Sequence, residues 1–105
     1  MNEDILFHVR TPLDFTLRLT EATWNLIITI KHPIMENRVR DVQQTIENPD
    51  EIRRSKRDPA VYLFYRLKQS KKWICVVVKQ TDGEGFVITS YITDSIKEGE
   101  QIWTK

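Results

Sequence analysis

A histidine, a lysine and a row of hydroxyl-bearing residues are the side chains of this sequence best suited to acid–base chemistry. His32 stands directly before Pro33 at the end of a helical pattern. An imidazole is the usual proton shuttle among protein side chains, which makes His32 the candidate general acid or base. A histidine in the last turn of a helix also interacts favourably with the helix dipole, and that is the alternative explanation for it. The other histidine, His8, lies in a segment without a regular pattern and is assigned no role.

Lys79 ends the longest β-branched apolar run, which begins at Trp73. If residues 81–85 form a hairpin loop, Val78 pairs with Ile88, Gln80 with Phe86 and Val76 with Ser90. Lys79 then shares a sheet face with Trp73, Cys75 and Val77, and we call this face the open face. The next strand adds three hydroxyl groups to it, at Thr89, Tyr91 and Thr93. An ammonium beside hydroxyls can orient a phosphate and stabilise developing charge. The alternative is the ordinary strand preference of Thr and Tyr.

Basic residues are concentrated in the second half of the chain. Residues 52–81 contain nine basic residues and one acidic residue, whereas residues 1–51 contain five basic and nine acidic residues. The densest run is Arg53, Arg54, Lys56 and Arg57, which predicts contact with a phosphate backbone. A solvated loop that pairs with nearby carboxylates is the alternative.

The strand at residues 61–67 has two registers that the sequence leaves open. Burial favours Val61, Leu63 and Leu67 towards the helices, which leaves Tyr62, Phe64 and Arg66 on the open face. A slip of one residue would exchange the two sets and bring Tyr65 there instead. Interleaved aromatic and basic side chains are what nucleotide stacking requires. The predicted nucleic-acid-binding residues are therefore Arg53, Arg54, Lys56, Arg57, Tyr62, Phe64, Arg66 and Thr93.

The elements that position these residues form an α+β domain. Residues 1–14 are expected to be an irregular or weakly extended arm, and residues 15–19 a strand. Thr20 caps a first helix that ends at His32–Pro33, and an amphipathic second helix runs roughly from residue 35 to residue 47. We expect the N-terminal strand and both helices to pack on one face of a small antiparallel sheet, a three-stranded C-terminal meander. On that face we expect Val76, Val78, Ile88 and Ile92. Residues 94–99 are expected to form a turn or a short helical turn, and residues 102–103 to pack against the rest of the domain.

Composition narrows the class of protein. A length of 105 residues predicts a single domain over residues 1–105. Two separated histidines and one cysteine offer no metal-ligand set, and no cofactor motif is visible. A lone cysteine suits the reducing cytosol, and no apolar run approaches the roughly 18 residues of a membrane span. We therefore expect a cytoplasmic protein that needs no metal or cofactor and has no membrane contact.

Several stretches in order resemble the barnase, EndoU, colicin and RelE-like superfamily of small metal-independent ribonucleases, and in particular its phage-type and bacterial members. They cover residues 15–103 and are Trp24 with Ile30-Lys31-His32-Pro33, Ile46 to Ile52, Tyr65-Arg66, Cys75 to Lys79 and Phe86 to Tyr91.

The resemblance implies RNA cleavage on the open face. His32 would act as acid or base, Lys79 with Arg54 or Arg57 would stabilise charge, and Thr89, Tyr91 or Thr93 would orient the phosphate. It also implies RNA as a partner and a proteinaceous inhibitor or antitoxin as a second one. A non-catalytic nucleic-acid- or protein-binding module and an oligomerising structural domain are the alternatives, and the oligomeric state stays open.

Overall fold

The computed structural model describes residues 4–105. Its strands are β1 (Ile5–Arg10), β2 (Thr16–Thr20), β3 (Glu51–Arg54), β4 (Val61–Gln69), β5 (Lys72–Thr81), β6 (Glu84–Thr93) and β7 (Glu100–Thr104). The helices are α1 (Glu21–Leu26), which continues as a π-helical turn (Ile27–Lys31), a 3-10 turn (Pro33–Met35) and α2 (Val39–Glu47). The predicted α+β class is confirmed.

All seven described strands belong to one mixed sheet, in the order β1-β2-β6-β5-β4-β3-β7. β2 and β6 are parallel, and the other neighbours are antiparallel. The sheet is therefore larger than a three-stranded meander. The short strands β3 and β7 are rich in charged or polar residues, so the sequence pattern shows them only weakly.

Residues 5–10 of the expected irregular or weakly extended arm form a regular strand, β1. Phe7 is buried in the core, but the pairing with β2 shifts register between Ile5 and Phe7, and this interrupts the alternation of apolar residues. Residues 1–3 of the expected arm lie outside the described residues.

The helices begin and end close to the expected positions. The Thr20 side chain accepts a hydrogen bond from the Thr23 backbone N–H at 3.2 Å, as the capping pattern predicts. The second helix starts at Val39 and not at Met35, because Asn37 takes a left-handed conformation with φ of 68°. Met35 belongs instead to the 3-10 turn and is fully buried.

The main core contains buried residues from the helices and from one set of alternating strand positions. The helical members are Trp24, Ile27, Met35, Val42 and Ile46, and the central strand members are Phe64, Ile74, Val76 and Val78. We call the sheet face that carries Ile74, Val76 and Val78 the helix-side face. A second, smaller cluster of Leu63, Tyr65 and Cys75 lies on the open face.

The favoured register of β4 is wrong. Tyr62 and Phe64 are buried in the main core, and Arg66 Nη2 lies 3.4 Å from Asp41 Oδ1 on α2. The one-residue slip is the observed arrangement, since Tyr65 pairs with Cys75 on the open face. Both aromatic rings are therefore part of the main core, where large apolar surfaces contribute most to stability.

The β5–β6 hairpin has a bulge that the sequence does not reveal. Val76 pairs with Ser90 as predicted, but Val78 pairs with Val87 and Gln80 with Gly85, because Ile88 is an extra residue on β6. The predicted pairs Val78–Ile88 and Gln80–Phe86 are therefore wrong. Val87 turns to the main core, where it is 2% exposed.

Residues 94–99 form a crossover over the open face, not a local turn. β6 and β7 lie on opposite sides of β5, β4 and β3. Four strand spacings amount to about 19 Å, which six nearly extended residues can span. Ile96 packs against the Leu63–Tyr65–Cys75 cluster, so the crossover contributes to the burial of the open face.

Candidate functional site

A cavity of about 620 Å³ lies on the open face beside the crossover. Its walls come from the end of the first helical segment, from β4, β5 and β6, and from the crossover. The polar lining residues are His32, Ser55, Tyr65, Tyr91, Thr93, Asp94, Ser95, Lys97 and Glu98. Val61, Leu63 and Val77 supply the apolar part. This cavity combines an imidazole, two phenols, hydroxyls and an ammonium.

His32 reaches the open face around the edge of β6. β2 pairs only with Glu84–Phe86, so no described strand covers the edge of β6 beyond Phe86. The π-helical and 3-10 turns contact β6 instead. The His32 ring lies against the ring of Tyr91, with centroids 5.4 Å apart and planes inclined by 40°.

The π-helical turn sets the direction in which the chain leaves the helix. The His32 backbone N–H donates to the Ile27 carbonyl, five residues earlier, at 2.6 Å. The His32 carbonyl then accepts from the Met35 N–H at 2.9 Å. His32 itself is non-helical, with φ of −143°, and is held between these two turns. Isolated π-helical turns are frequent at functional sites.

The cavity floor stays uncharged across a wide pH range. Tyr65, Cys75 and Tyr91 lie side by side, because Cys75 pairs with both tyrosines across the sheet. Burial raises the pKa of the Cys75 thiol from its ordinary value of 9.0 to about 12. Burial, followed by the nearby Cys75 side chain, also holds the pKa of Tyr65 and that of Tyr91 above 10.0. The phenols are therefore hydrogen-bond donors at neutral pH and not bases.

A second cavity of about 350 Å³ extends the first towards the β3–β4 loop. It shares Ser55, Leu63, Lys97 and Glu98 with the first cavity and adds Lys56, Arg57 and Gly99. We call the two cavities together the groove. Its three cations are Lys56, Arg57 and Lys97, and its carboxylates are Asp94 and Glu98.

The crossover is fixed at both ends. At its start, the Thr93 hydroxyl donates to the Ser95 carbonyl at 3.0 Å. At its end, Gly99 has φ of 82°, and a Cβ there would lie 2.7 Å from the Arg54 carbonyl oxygen. Only glycine fits this close approach without a backbone shift. The crossover therefore forms a stable wall of the groove.

Lys79 lies on the open face as predicted but lines neither cavity. Its Nζ is 3.2 Å from Asp58 Oδ2. A hydrogen bond from the Ala60 backbone N–H, and then Lys79, hold the pKa of Asp58 below its ordinary value. Lys79 is four residues from Cys75 along β5, a distance of about 13 Å. The structure therefore does not bring Lys79 together with His32 and Tyr91.

Thr89 is separated from the groove as well. Its hydroxyl is buried and has no hydrogen-bond partner among the described residues, and Thr89 lines neither cavity. The structure therefore does not bring this oxygen together with His32 and Tyr91. Tyr91 and Thr93, two residues and four residues further along β6, do line the cavity.

The basic run divides between the two faces. Arg54 lies on the helix-side face, where its Nη2 donates to the Tyr62 hydroxyl at 3.2 Å and its guanidinium lies over the Tyr62 ring. Arg53 is bound to Glu51 Oε2 at 2.6 Å and to the Gly99 carbonyl at 3.2 Å. Neither arginine lines the groove, and Arg53 stabilises the contact between β3 and the crossover.

Because of the β4 register, Tyr62, Phe64 and Arg66 do not lie on the open face, where the sequence predicted them to bind nucleic acid. Phe64 has no exposed surface and Tyr62 is 7% exposed, so neither ring can stack on a base. Arg66 is engaged with Asp41 and Thr45 of α2. Of the predicted site, the structure brings together His32, Tyr91, Thr93, Lys56 and Arg57.

The sequence analysis missed Ser55, Tyr65 and Lys97. Tyr65 appeared only in the less favoured register of β4. Lys97 was not predicted because the composition of residues 94–99 is typical of a surface turn. The one available signal was Ile96, an isolated apolar residue in a polar segment, which indicates that the segment packs against something.

The described residues contain no cluster of three or more His, Cys, Asp or Glu side chains that could hold a metal ion. No helix within residues 4–105 is long and apolar enough to cross a membrane. Comparison of the chain with protein-family models, with curated proteins and with solved structures found no match.

Proposed function

We propose that this protein is a metal-independent endoribonuclease of the barnase, EndoU, colicin and RelE-like type, and that the groove is its active site. The observation that carries the proposal is the contact of His32 with Tyr91 in the wall of a large cavity that also contains Lys97. Around one cavity, an imidazole, a neutral phenol and an ammonium can supply the proton transfer, hydrogen bond and positive charge that promote phosphodiester cleavage without a metal.

In the proposed reaction, His32 removes the proton from a ribose 2′-OH. The 2′ oxygen forms a bond to phosphorus as the bond from phosphorus to the 5′ oxygen breaks. The leaving 5′ oxygen takes a proton from water, and the products are a 2′,3′-cyclic phosphate and a 5′-OH. Tyr91 donates a hydrogen bond to a phosphate oxygen, and Lys97 stabilises the extra negative charge.

The second cavity binds the flanking RNA backbone in this proposal. Lys56 and Arg57 are exposed and belong to the β3–β4 loop, so they can contact phosphates without entering the first cavity. The helices cover the helix-side face, and RNA lies on the open face. The proposed location is the cytoplasm, where the Cys75 thiol remains reduced.

A non-catalytic nucleic-acid-binding module is the second candidate. The exposed position of Lys56 and Arg57 favours it, because backbone contacts there do not depend on His32. Cleavage and binding measurements on the same RNA separate the two candidates.

The test is incubation of the purified protein with a defined single-stranded RNA in excess EDTA, followed by mass spectrometry of the product ends. We expect cleavage that leaves 2′,3′-cyclic phosphates, and none of an all-2′-deoxy oligonucleotide of the same sequence. If the protein binds RNA in a salt-dependent way but does not cleave it, the second candidate is correct. Cleavage that EDTA abolishes would contradict the proposed mechanism.

A further inference from the structure

A separate groove lies at the helix-side face, between the 3-10 turn and the tip of the β4–β5 hairpin. Its volume is about 230 Å³, and its lining consists of Ile34, Arg38, Lys68, Gln69, Lys72 and Ile92. We call it the cationic groove. It shares no lining residue with the groove on the open face.

The charge of the cationic groove is positive. Arg38 is partly neutralised, because its Nη1 lies 3.5 Å from Asp41 Oδ2. Lys68 and Lys72 have no carboxylate within 4.0 Å among residues 4–105, and both are exposed. No acidic residue belongs to the lining. The groove therefore complements a ligand with several negative charges.

The apolar part of the cationic groove indicates the class of that ligand. Ile34 is 62% exposed, and Ile92 is partly buried against the main core. No aromatic ring lines the groove, so it offers no stacking surface for an unpaired base. Isoleucines surrounded by cations suit a segment that presents both aliphatic and acidic side chains.

We propose that the cationic groove binds an acidic amphipathic segment of a protein partner. Aliphatic side chains of the segment cover Ile34 and Ile92, and its carboxylates pair with Lys68 and Lys72. Such binding combines apolar burial with electrostatic steering. The proposal does not depend on RNA cleavage, since the cationic groove is distinct from the proposed active site.

The position of Ile34 links this surface to His32. The 3-10 turn that contains Ile34 begins directly after His32, and its first hydrogen bond runs from the Met35 N–H to the His32 carbonyl. A partner bound over Ile34 therefore holds the segment that carries the imidazole. We expect the rate of any reaction that uses His32 to change by a measurable factor when the segment is bound.

The test uses two fluorescein-labelled synthetic peptides of equal charge and composition. The first places leucines on one face of an otherwise glutamate-rich helix, and the second distributes the same leucines around the helix. Fluorescence anisotropy with the full-length protein should show about tenfold tighter binding of the first peptide. Equal binding of the two peptides would overturn the proposal, because it would show attraction of charge alone.

Variants locate the binding surface. Ile34→Glu and the double variant Lys68→Glu/Lys72→Glu should each weaken binding of the first peptide by about tenfold. Ile102→Glu, at a partly exposed isoleucine of β7, is the matched control and should bind like the wild type. Unchanged binding in both groove variants, with their folding verified by circular dichroism, would refute the proposal.

Binding measurements with RNA show whether the ligand of the cationic groove is a protein segment or a nucleic acid. Lys56→Glu/Arg57→Glu should weaken binding of a single-stranded RNA and leave peptide binding unchanged. If Lys68→Glu/Lys72→Glu weakens RNA binding but not peptide binding, the cationic groove contacts nucleic acid and the proposal is wrong. His32→Asn should bind the first peptide like the wild type, whatever its RNA-cleavage rate. The peptide-binding proposal and the RNA-cleavage proposal can therefore fail independently of each other.

Discussion

The His32 imidazole lies against the Tyr91 phenol on the open face of the sheet, with the two ring centroids 5.4 Å apart. The two residues are 59 positions apart in the sequence and belong to different elements, a helix end and a central strand. Their contact exists because β2 leaves most of the β6 edge without a strand partner, and the helical segment turns around that edge. It brings the one imidazole of the open-face cavity to a neutral phenol.

Deletion of Thr29 should uncouple these two rings. The π-helical turn contains one residue more than an α-helical turn would, and Thr29 is exposed within it. Removing it lets the His32 N–H bond to the Ile27 carbonyl in α-helical geometry, which rotates the chain exit. We expect RNA cleavage to fall by about a hundredfold, with little change in the midpoint of urea unfolding. Thr29→Ala, which keeps the turn length, is the control and should cleave at the wild-type rate.

Lys79→Ala should cleave RNA within about twofold of the wild-type rate. Lys79 is paired with Asp58 and lies outside the groove, so it has no contact with a phosphate bound beside His32. The measurement is the initial cleavage rate under single-turnover conditions. A hundredfold loss in a correctly folded Lys79→Ala variant would show that the catalytic centre lies at the other end of β5.

The contrast between Lys79 and Lys97 shows what a sequence can reveal about the site. Strand alternation correctly places Lys79 on the open face, because the period of two depends only on local geometry. Lys97 enters the groove through the pairing of β7 with β3, a contact between distant segments. No local pattern encodes that pairing, so the crossover and its lysine could not be predicted.

The β4 register has a different origin. Residues 61–65 are apolar at every position, and such a run does not show which face packs under the helices. The outcome depends on the burial of the Tyr62 and Phe64 rings in the main core and on the ion pair of Arg66 with Asp41 on α2. By contrast, the Thr20 cap and the helix end at His32–Pro33 follow from backbone rules and were predictable.

Arg66→Ala should lower the free energy of unfolding by about 1 kcal/mol and leave RNA affinity unchanged. Arg66 is largely buried between β4 and α2, where it contacts Asp41 and Thr45. Urea denaturation measures the stability, and filter binding at two salt concentrations measures the affinity. Arg40→Ala, at an exposed arginine of α2, is the matched control and should change neither quantity. A loss of RNA affinity in Arg66→Ala but not in Arg40→Ala would instead show that Arg66 contributes to RNA binding.

Stability should fall as the pH rises above 9. The unfolded chain loses the Cys75 proton near pH 9.0, whereas the folded chain holds it until about pH 12. Between these values the unfolded state binds fewer protons than the folded state. The free energy of unfolding therefore falls by about 1.4 kcal/mol for each unit by which the pH rises. The raised pKa values of Tyr65 and Tyr91 add the same effect above pH 10.0.

Urea unfolding of the wild type and of Cys75→Ala at several pH values from 7 to 11 measures this effect. Cys75→Ala should be less stable at pH 7, because it leaves a small cavity, but its stability should fall less steeply between pH 9 and pH 10. Parallel curves for the two proteins would show that Cys75 ionises equally in the folded and unfolded states.

The most direct test of the proposed active site is the RNA-cleavage rate of His32→Asn, compared with that of His8→Asn. His8 is half exposed on β1, its Nε2 lies 3.3 Å from Glu84 Oε1, and it does not line the groove, so it controls for the loss of an imidazole. We predict that His32→Asn loses about a hundredfold or more in rate while His8→Asn cleaves like the wild type, with 2′,3′-cyclic phosphate ends. Equal cleavage rates for folded His32→Asn and wild-type protein would contradict the account.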